Sequence, residues 1–180
     1  MQVRLARSAD AEAIRSVYNA EVLGSTATFD LVPRTLDEQV LWLADHRGPY
    51  PALVAEDDSG VVLGFGSLSA YRDRPSYSTT VEDSVYVGAS HRGSGVGRVL
   101  LAELVVLAGQ HGFHSIIARI GGENDASIRL HEACGFRLVG VEREVGRKFN
   151  RWLDVAVMQC LLGEQTPGLA DPRDDSAPTG

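Results

Sequence analysis

Apolar positions recur along the first part of the chain at the spacing of amphipathic helices. Residues 10–22 and 35–43 carry apolar side chains three and four positions apart. Thr35 and Glu38 form the sequence pattern of a capping box at the start of the second segment. We expect two helices, each burying one stripe. The stripes are Ile14, Val17, Tyr18 and Val22 in the first helix and Leu36, Val40 and Leu43 in the second.

Shorter apolar runs bounded by turn residues predict strands. Residues 52–56 and 61–69 flank the turn-rich tetrapeptide 57–60, which predicts an antiparallel hairpin. Further strands are expected at residues 2–6, 79–87, 116–120, 136–145 and 152–162.

Two further helices are predicted in the second half of the chain. Residues 95–109 are apolar on almost every side, so this helix is expected to be packed on most of its faces. A helix from Asn124 to about Cys134 is expected to stop at Gly135, because glycine commonly follows a helix C-terminus.

The length of 180 residues and the hydrophobic content of 44% suit one domain, which we assign to residues 1–162. Residues 163–180 are rich in Pro, Asp, Gly and Thr and lack the apolar side chains that would offset the entropy of ordering them. They are predicted to form a disordered C-terminal tail.

Charge and cysteine content exclude several classes of protein. The 17 Lys and Arg against 24 Asp and Glu give a net charge of -7, which disfavours a nucleic-acid partner. No apolar run approaches the roughly 20 residues of a membrane span, and the N-terminus has no apolar signal core. Cys134 and Cys160 are too few for a disulfide framework. We therefore expect a cytoplasmic protein that is neither exported nor membrane-spanning.

A glycine-rich turn gives the clearest chemical signal. The strand ending at Val87 leads into glycines at positions 93, 95 and 97 and then directly into the apolar helix. Glycine lets the backbone approach an anion, and the unpaired N–H groups and the dipole at a helix N-terminus favour negative charge. Arg92 and Arg98 would add positive charge. The glycine count alone fits an ordinary strand-to-helix turn equally well.

Two nucleotide-binding motifs fit this turn poorly. A P-loop needs Gly-Lys-Ser/Thr after its glycines, and Lys148 is the only lysine in the chain. The dinucleotide fingerprint Gly-x-Gly-x-x-Gly lies near the first strand of a βαβ unit. This run is Gly-x-Gly-x-Gly and follows several strands that we expect to be antiparallel.

The run Arg92-x-x-Gly95-x-Gly97 after a strand resembles the coenzyme A signature of the GNAT acetyltransferase superfamily. More narrowly, the chain resembles the phosphinothricin and methionine sulfoximine acetyltransferase group. The resemblance implies an α/β (α+β) GNAT fold, with a central mixed and mostly antiparallel sheet flanked by about four helices. The other segments that carry it are 25–29, 74–77, 82–87, 124–136 and 148–154.

The same resemblance implies acetyl-CoA as the acetyl-donor cosubstrate, no metal ion, and a homodimer. It also implies direct attack of a small amino-acid-like amine on the thioester, without a covalent enzyme intermediate. The residues that it assigns to the coenzyme are Val85, Tyr86, Val87, Arg92, Gly93, Ser94, Gly95, Val96, Gly97, Arg98 and Asn124.

Glu82 and His131 are the candidate catalytic residues. An ammonium group must lose a proton before it can attack, so a base is needed, directly or through water. By strand alternation, Glu82 points away from the face shared by Asp83 and the neighbouring valines, and it matches the family's catalytic glutamate. His131 stands where many GNAT enzymes carry a tyrosine. It would either relay a proton from the amine or protonate the departing thiolate.

The expected acceptor is the α-amino group of a small amino acid or analogue, such as phosphinothricin, methionine sulfoximine or methionine sulfone. Arg72 and Arg74 can each offer a guanidinium fork to a carboxylate. Two alternatives stay open: acetylation of another amine, such as a peptide terminus, polyamine or aminoglycoside, and a non-catalytic coenzyme A-binding module. The residues assigned to the acceptor are Phe29, Arg72, Arg74, Pro75, Ser76, Tyr77 and Glu82.

Overall fold

The computed structural model of the protein describes residues 1–122 and 124–163. The predicted tail, residues 163–180, lies outside the described residues apart from Gly163. The helices are α1 (Ala11–Gly24), α2 (Leu36–Asp45), α3 (Val96–Gln110) and α4 (Asp125–Ala133). The strands are β1 (Gln2–Leu5), β2 (Ala52–Glu56), β3 (Val62–Ala70), β4 (Thr80–Val87), β5 (Ser115–Gly121), β6 (Arg137–Lys148) and β7 (Arg151–Leu161).

The strands form one sheet in the order β1-β2-β3-β4-β5-β7-β6. Neighbouring strands are antiparallel except for the parallel pair β4 and β5, so the predicted mixed and mostly antiparallel sheet is confirmed. β6 continues to Lys148, beyond its predicted end at residue 145. The turn to β7 consists of Phe149 and Asn150, whose φ angles of 51° and 59° are typical of a tight two-residue hairpin.

The sheet splits between β4 and β5. These strands pair only over residues 80–82 and 115–117, although β4 continues to Val87 and β5 to Gly121. Beyond Glu82, the edge of β4 that faces β5 therefore takes no part in that ladder. Backbone N–H and C=O groups need partners, so a bound ligand with amide groups can pair with this edge.

The two faces of the sheet carry separate hydrophobic clusters. α3 packs on one face, where Leu100 and Leu104 contact a cluster that includes Val81 of β4. α1 and α2 cover the other face, where Ile14 and Tyr18 contribute to the second cluster. Since Val81 lies in the first cluster while Tyr86 packs against the second, the predicted alternation of β4 is confirmed.

The predicted buried stripe of α2 is wrong at two of its three positions. The capping box of Thr35 and Glu38 is present, but Leu36 and Val40 are 47% and 44% exposed. Gln39 is fully buried instead; its carboxamide oxygen accepts a hydrogen bond from the Arg34 side chain at 3.4 Å, and its Nε2 has no hydrogen-bond partner among the described residues. A tertiary contact has overridden the apolar pattern.

The expectation that α3 is packed on most faces is also wrong. Val99 and Val106 are 36% and 50% exposed, whereas Leu100 and Leu104 are fully buried against the sheet. A helix that covers one face of a sheet buries one side, and its apolar content does not change that. Within the described residues, no helix combines the length and the hydropathy that crossing a membrane requires.

Candidate active site

A groove of about 550 Å³ lies at the end of β4, where the sheet splits. Its walls come from the end of β4, the glycine-rich loop before α3, the start of α4 and residues 21–27 at the end of α1. The groove brings together most of the residues predicted to contact the coenzyme. These are Val85, Tyr86, Val87, Arg92, Gly93, Gly95, Gly97, Arg98 and Asn124.

Two residues predicted for the coenzyme lie differently. The Ser94 hydroxyl donates a hydrogen bond to the His91 carbonyl at 2.6 Å, so it closes the turn locally. The Val96 side chain is 1% exposed and belongs to the core. Both residues can still offer backbone N–H groups, since they stand at the start of α3.

The glycines leave the N-terminus of α3 open. Gly93 and Gly95 have φ angles of 75° and 89°, a region that side chains with a Cβ rarely adopt. Gly95 is the N-cap residue, and no side chain caps the helix there. At Gly97, a Cβ would lie 3.1 Å from a methyl group of Leu130, so glycine lets α3 approach α4. The first N–H groups of α3 are therefore accessible to an anion.

Two cations hold the wall of the groove formed by the end of α1. The Arg92 guanidinium pairs with the buried carboxylate of Glu21 on α1. Lys148, which is 4% exposed, donates from Nζ to the Thr28 carbonyl at 2.8 Å. Burial lowers the pKa of Lys148 although Asp30 and Glu21 act against it. The glycine-rich loop and the end of β6 thus fix the same segment from two sides.

Phe29 is seated in a slot made by glycines. A Cβ at Gly121 would lie 2.5 Å from the Phe29 ring, and one at Gly146 would overlap the same ring. Both positions therefore need glycine for this packing. The slot places Phe29, a predicted acceptor residue, beside the end of β5 and hence beside the split.

His131 and Asp83 form a buried pair on the α3–α4 side of β4. His131 Nε2 lies 3.1 Å from Asp83 Oδ2, and Nδ1 lies 2.7 Å from the Ser127 carbonyl oxygen. Both ring nitrogens face acceptors, and this geometry favours a ring that carries a proton on each nitrogen. Burial alone would lower the pKa of His131, but the hydrogen bond and charge of Asp83 outweigh it and leave the pKa raised.

Glu82 stands on the opposite face of the same strand. It is half-buried, and burial raises the pKa of its carboxyl group, while the positive charge of Arg119 acts to lower it. Arg119 also pairs with Glu142 at 2.6 Å. Because neighbouring residues of a strand point to opposite faces, the side chains of Glu82 and His131 lie on different sides of β4 and do not form a direct relay.

A small cavity of about 60 Å³ lies beside His131 and shares lining residues with the groove. Asp83 and His131 line it, together with Val85, Asn124 and Ser127, which also line the groove. Asp83 Oδ1 is buried without a hydrogen-bond partner among the described residues. This space is large enough for a water molecule, which could reach both the pair and the split.

The predicted acceptor residues near position 75 lie apart from the groove. Arg72, Arg74 and Tyr77 line a separate pocket of about 400 Å³, where the Arg72 guanidinium carbon is 5.4 Å from the centre of the Tyr77 ring. Pro75 and Ser76 are exposed in a short 3-10 turn. No residue of this pocket lines the groove, so an acceptor role for these residues stays a prediction.

Several residues of the site were missed from the sequence. Asp83 could have been found, since a carboxylate on a strand face otherwise made of valines needs a buried partner. Glu21 gives no such signal, because its partner Arg92 lies 71 positions away. Arg119 is likewise ordinary in sequence. Among the described residues, no group of three or more His, Cys, Asp and Glu side chains is placed to hold a metal ion.

Comparisons with known proteins agree with this geometry. Residues 14–136 match the model of the Acetyltransferase (GNAT) family. The L-amino acid N-acyltransferase MnaT of Escherichia coli is 40% identical over 92% of this chain and 96% of its own length. The L-methionine sulfoximine/L-methionine sulfone acetyltransferase of Salmonella typhimurium is 41% identical over 91% of this chain and 96% of its own length. The crystal structure of a phosphinothricin acetyltransferase from Sinorhizobium meliloti in complex with acetyl-CoA superposes with a TM-score of 0.88, at 40% identity over 96% of this chain and 94% of that one.

Proposed function

Because the chain belongs to the GNAT family of acetyltransferases, we propose that it transfers an acetyl group from acetyl-CoA to the α-amino group of a small amino acid or analogue. The observation that carries this proposal is the split beside β4, with an open helix N-terminus at one end and Glu82 at its vertex. Relatives named for L-amino acids, methionine sulfoximine and phosphinothricin support the acceptor class.

We assign the pyrophosphate of the coenzyme to the loop from Gly93 to Gly97 and its pantetheine arm to the unpaired edge of β4. Gly95→Ala tests this assignment. Alanine at a φ of 89° costs about 1–2 kcal/mol, and the distorted turn should raise the KM for acetyl-CoA more than the KM for the amine. Gly109→Ala is the matched control, because this glycine lies within α3 and has open space around it. A KM for acetyl-CoA that Gly95→Ala leaves unchanged would contradict the assignment.

In the proposed reaction, the ammonium group of the acceptor first loses a proton to Glu82, directly or through water, because Glu82 is a half-buried carboxylate at the vertex of the split. The neutral amine then attacks the thioester carbonyl carbon, the C–S bond breaks, and the nitrogen releases its second proton to solvent. The departing thiolate takes a proton from the His131–Asp83 pair through the small cavity. A histidine whose pKa is raised by its carboxylate partner suits an acid better than a base.

Thiol release from acetyl-CoA over a panel of amines tests the acceptor class. We expect turnover with free α-amino acids, including methionine sulfone, and little with polyamines or aminoglycosides. Preference for the cationic amines would favour the rival acceptor class. Coenzyme binding without turnover on any amine would favour a non-catalytic module.

We also propose that the protein is a cytoplasmic homodimer. β6 is an edge strand of the sheet and exposes the apolar side chains Leu138, Val139, Val141 and Val145. A long apolar edge strand readily pairs with another chain. Light scattering should therefore give twice the chain mass of 19.4 kDa.

A further inference from the structure

A buried carboxylate lies in the wall of the groove that α1 supplies. Glu21 is 6% exposed, and among the described residues that line the groove it is the one carboxylate. Its Oε2 accepts a hydrogen bond from the Ser25 hydroxyl at 2.6 Å. The diphosphate of the proposed coenzyme is itself an anion. The charge of Glu21 therefore opposes coenzyme binding unless another group neutralises it.

Arg92 is the group that neutralises Glu21. Its Nη2 pairs with Glu21 Oε1, so the guanidinium and the Ser25 hydroxyl together occupy both carboxylate oxygens. Arg92 directly precedes Gly93, the first residue of the loop that we assign to the pyrophosphate. The carboxylate on α1 thus reaches that loop through a single guanidinium group.

The other buried cation of this wall bonds to backbone oxygens instead. Lys148 Nζ lies 2.8 Å from the Thr28 carbonyl oxygen and 3.5 Å from the Glu21 carbonyl oxygen. Burial lowers the pKa of Lys148 despite the nearby charges of Asp30 and Glu21. Within the described residues, the ion pair of the Glu21 carboxylate is therefore the one with Arg92.

Building on the proposed coenzyme site, we infer that Glu21 and Arg92 act there as one unit, in which Arg92 promotes coenzyme binding by cancelling the buried charge of Glu21. Arg92 is in this sense a positioning residue, since it acts on the coenzyme through Glu21. Without the guanidinium, an uncompensated carboxylate would face the diphosphate. Attraction of the diphosphate then falls to the open N–H groups at the start of α3.

A direct contact between Arg92 and the diphosphate predicts different energetics. The Arg92 side chain is 55% exposed, whereas that of Glu21 is 8% exposed. A buried carboxylate needs its counter-charge, which favours the pairing role for Arg92. If the guanidinium instead contacts the diphosphate, its removal weakens binding whatever residue stands at position 21. Coupling between the two positions distinguishes these roles, because independent residues have additive effects.

Removal of Arg92 should be costly only while Glu21 is charged. Isothermal titration calorimetry gives the Kd of coenzyme A for each variant. In the wild-type background, Arg92→Met leaves a buried, poorly screened carboxylate beside the diphosphate and should raise the Kd about 10- to 100-fold. In the Glu21→Gln background, the same substitution should raise the Kd less than about threefold, because an exposed guanidinium is screened by solvent. Equal costs in the two backgrounds would overturn the inference and assign Arg92 to the diphosphate itself.

Arg98→Met is the matched comparison. Arg98 is the other arginine among the described residues that line the groove, and it is also exposed. Since the ion pair of Glu21 belongs to Arg92, Arg98→Met should raise the Kd by the same factor in both backgrounds. If Glu21→Gln abolished the cost of removing either arginine, the effect would be a general charge of the groove, and the pairing would be refuted.

Two of the variants keep the inference testable if Arg92→Met fails to fold. An unpaired buried charge destabilises a protein, but neither Glu21→Gln nor Glu21→Gln/Arg92→Met contains one. The double variant should bind coenzyme A within about threefold of Glu21→Gln. Binding weaker by about tenfold or more would contradict the inference.

These measurements also separate the inference from the proposed function. Binding of coenzyme A needs no acceptor, so absence of turnover with every amine would refute the proposed function and leave the comparison of Kd values intact. Turnover on amino acids with equal costs of Arg92→Met in both backgrounds would refute only the pairing role. A wild-type protein that does not bind coenzyme A would overturn both.

Discussion

The two faces of β4 differ sharply around two adjacent carboxylates. On the α3–α4 face, Asp83 is 6% exposed and paired with an equally buried histidine. On the α1–α2 face, Glu82 is half-buried beside Arg119, at the vertex of the split. One strand thus carries a closed polar pair on one side and an accessible carboxylate on the other.

This difference separates two chemical tasks. In the proposed reaction, Glu82 exchanges a proton with the incoming amine, because the sheet opens next to it. Asp83 is buried beside α4, and its hydrogen bond and charge orient His131 and raise the pKa of that ring. Strand alternation alone places the two carboxylates in these different surroundings.

The largest expected effect is on the open face. Glu82→Gln removes the proposed base and should lower kcat by about 10²- to 10⁴-fold, with little change in unfolding free energy. Steady-state kinetics and urea denaturation measure the two quantities. Glu103→Gln, at an exposed position of α3, is the matched control. Near wild-type turnover of Glu82→Gln would remove this residue from the mechanism.

On the closed face, the expected loss is in stability as well as activity. Asp83→Asn keeps the shape of the side chain but removes the counter-charge, so the buried ring must either give up its proton or stay charged without a partner, and losing one member of a buried pair costs up to about 3–5 kcal/mol. Urea denaturation near pH 6 measures this loss. An unfolding free energy equal to that of the wild type would show that the Asp83–His131 pair does not stabilise the closed face.

The pH dependence of stability sharpens the same comparison. The pKa of His131 is raised in the folded state, so its charge stabilises the fold fully below the ordinary histidine pKa of about 6.5. This contribution is lost as the pH rises through the folded-state pKa. The wild type should therefore lose stability over that range, whereas Asp83→Asn should show a flatter profile. Identical profiles of stability against pH for the wild type and Asp83→Asn would contradict a raised pKa of His131.

The smallest expected effect concerns the neighbour of Glu82. Arg119 acts to lower the pKa of Glu82 against the effect of burial. Arg119→Met should therefore raise that pKa further and move the acidic limb of kcat/KM to higher pH, because Glu82 must be ionised to accept a proton. Arg143→Met, which removes an exposed guanidinium paired with Asp154, should leave the acidic limb of kcat/KM at the same pH as in the wild type. A shift to lower pH in Arg119→Met would contradict this account.

Local sequence patterns predicted much of the fold. The capping box at Thr35, the hairpin around residues 57–60 and the alternation of β4 depend on neighbours within a few positions, and all three are present. The burial of Gln39 was not predictable from periodicity, because a glutamine interrupts the apolar pattern and the residue that it contacts, Arg34, lies in the loop before α2.

Predicting the candidate site had a similar limit. The glycine-rich loop was identifiable from the sequence, because the positive φ angles of its turn require glycines that lie close together along the chain. The Glu21–Arg92 pair requires α1 and the glycine-rich loop to meet, so no short sequence pattern contains it. Resemblance to a family supplied the roles predicted for Glu82 and His131, and the structure added Asp83 as the partner that raises the pKa of His131.

The buried position of Lys148 has a consequence for an enzyme that handles an activated acyl group. Thioesters acylate accessible amines, and lysine is the usual target on protein surfaces. This chain has a single lysine, and its amine is enclosed and bonded to the Thr28 carbonyl. The folded protein therefore offers no accessible lysine to its own donor, which protects its side chains from self-acylation during long exposure to acetyl-CoA.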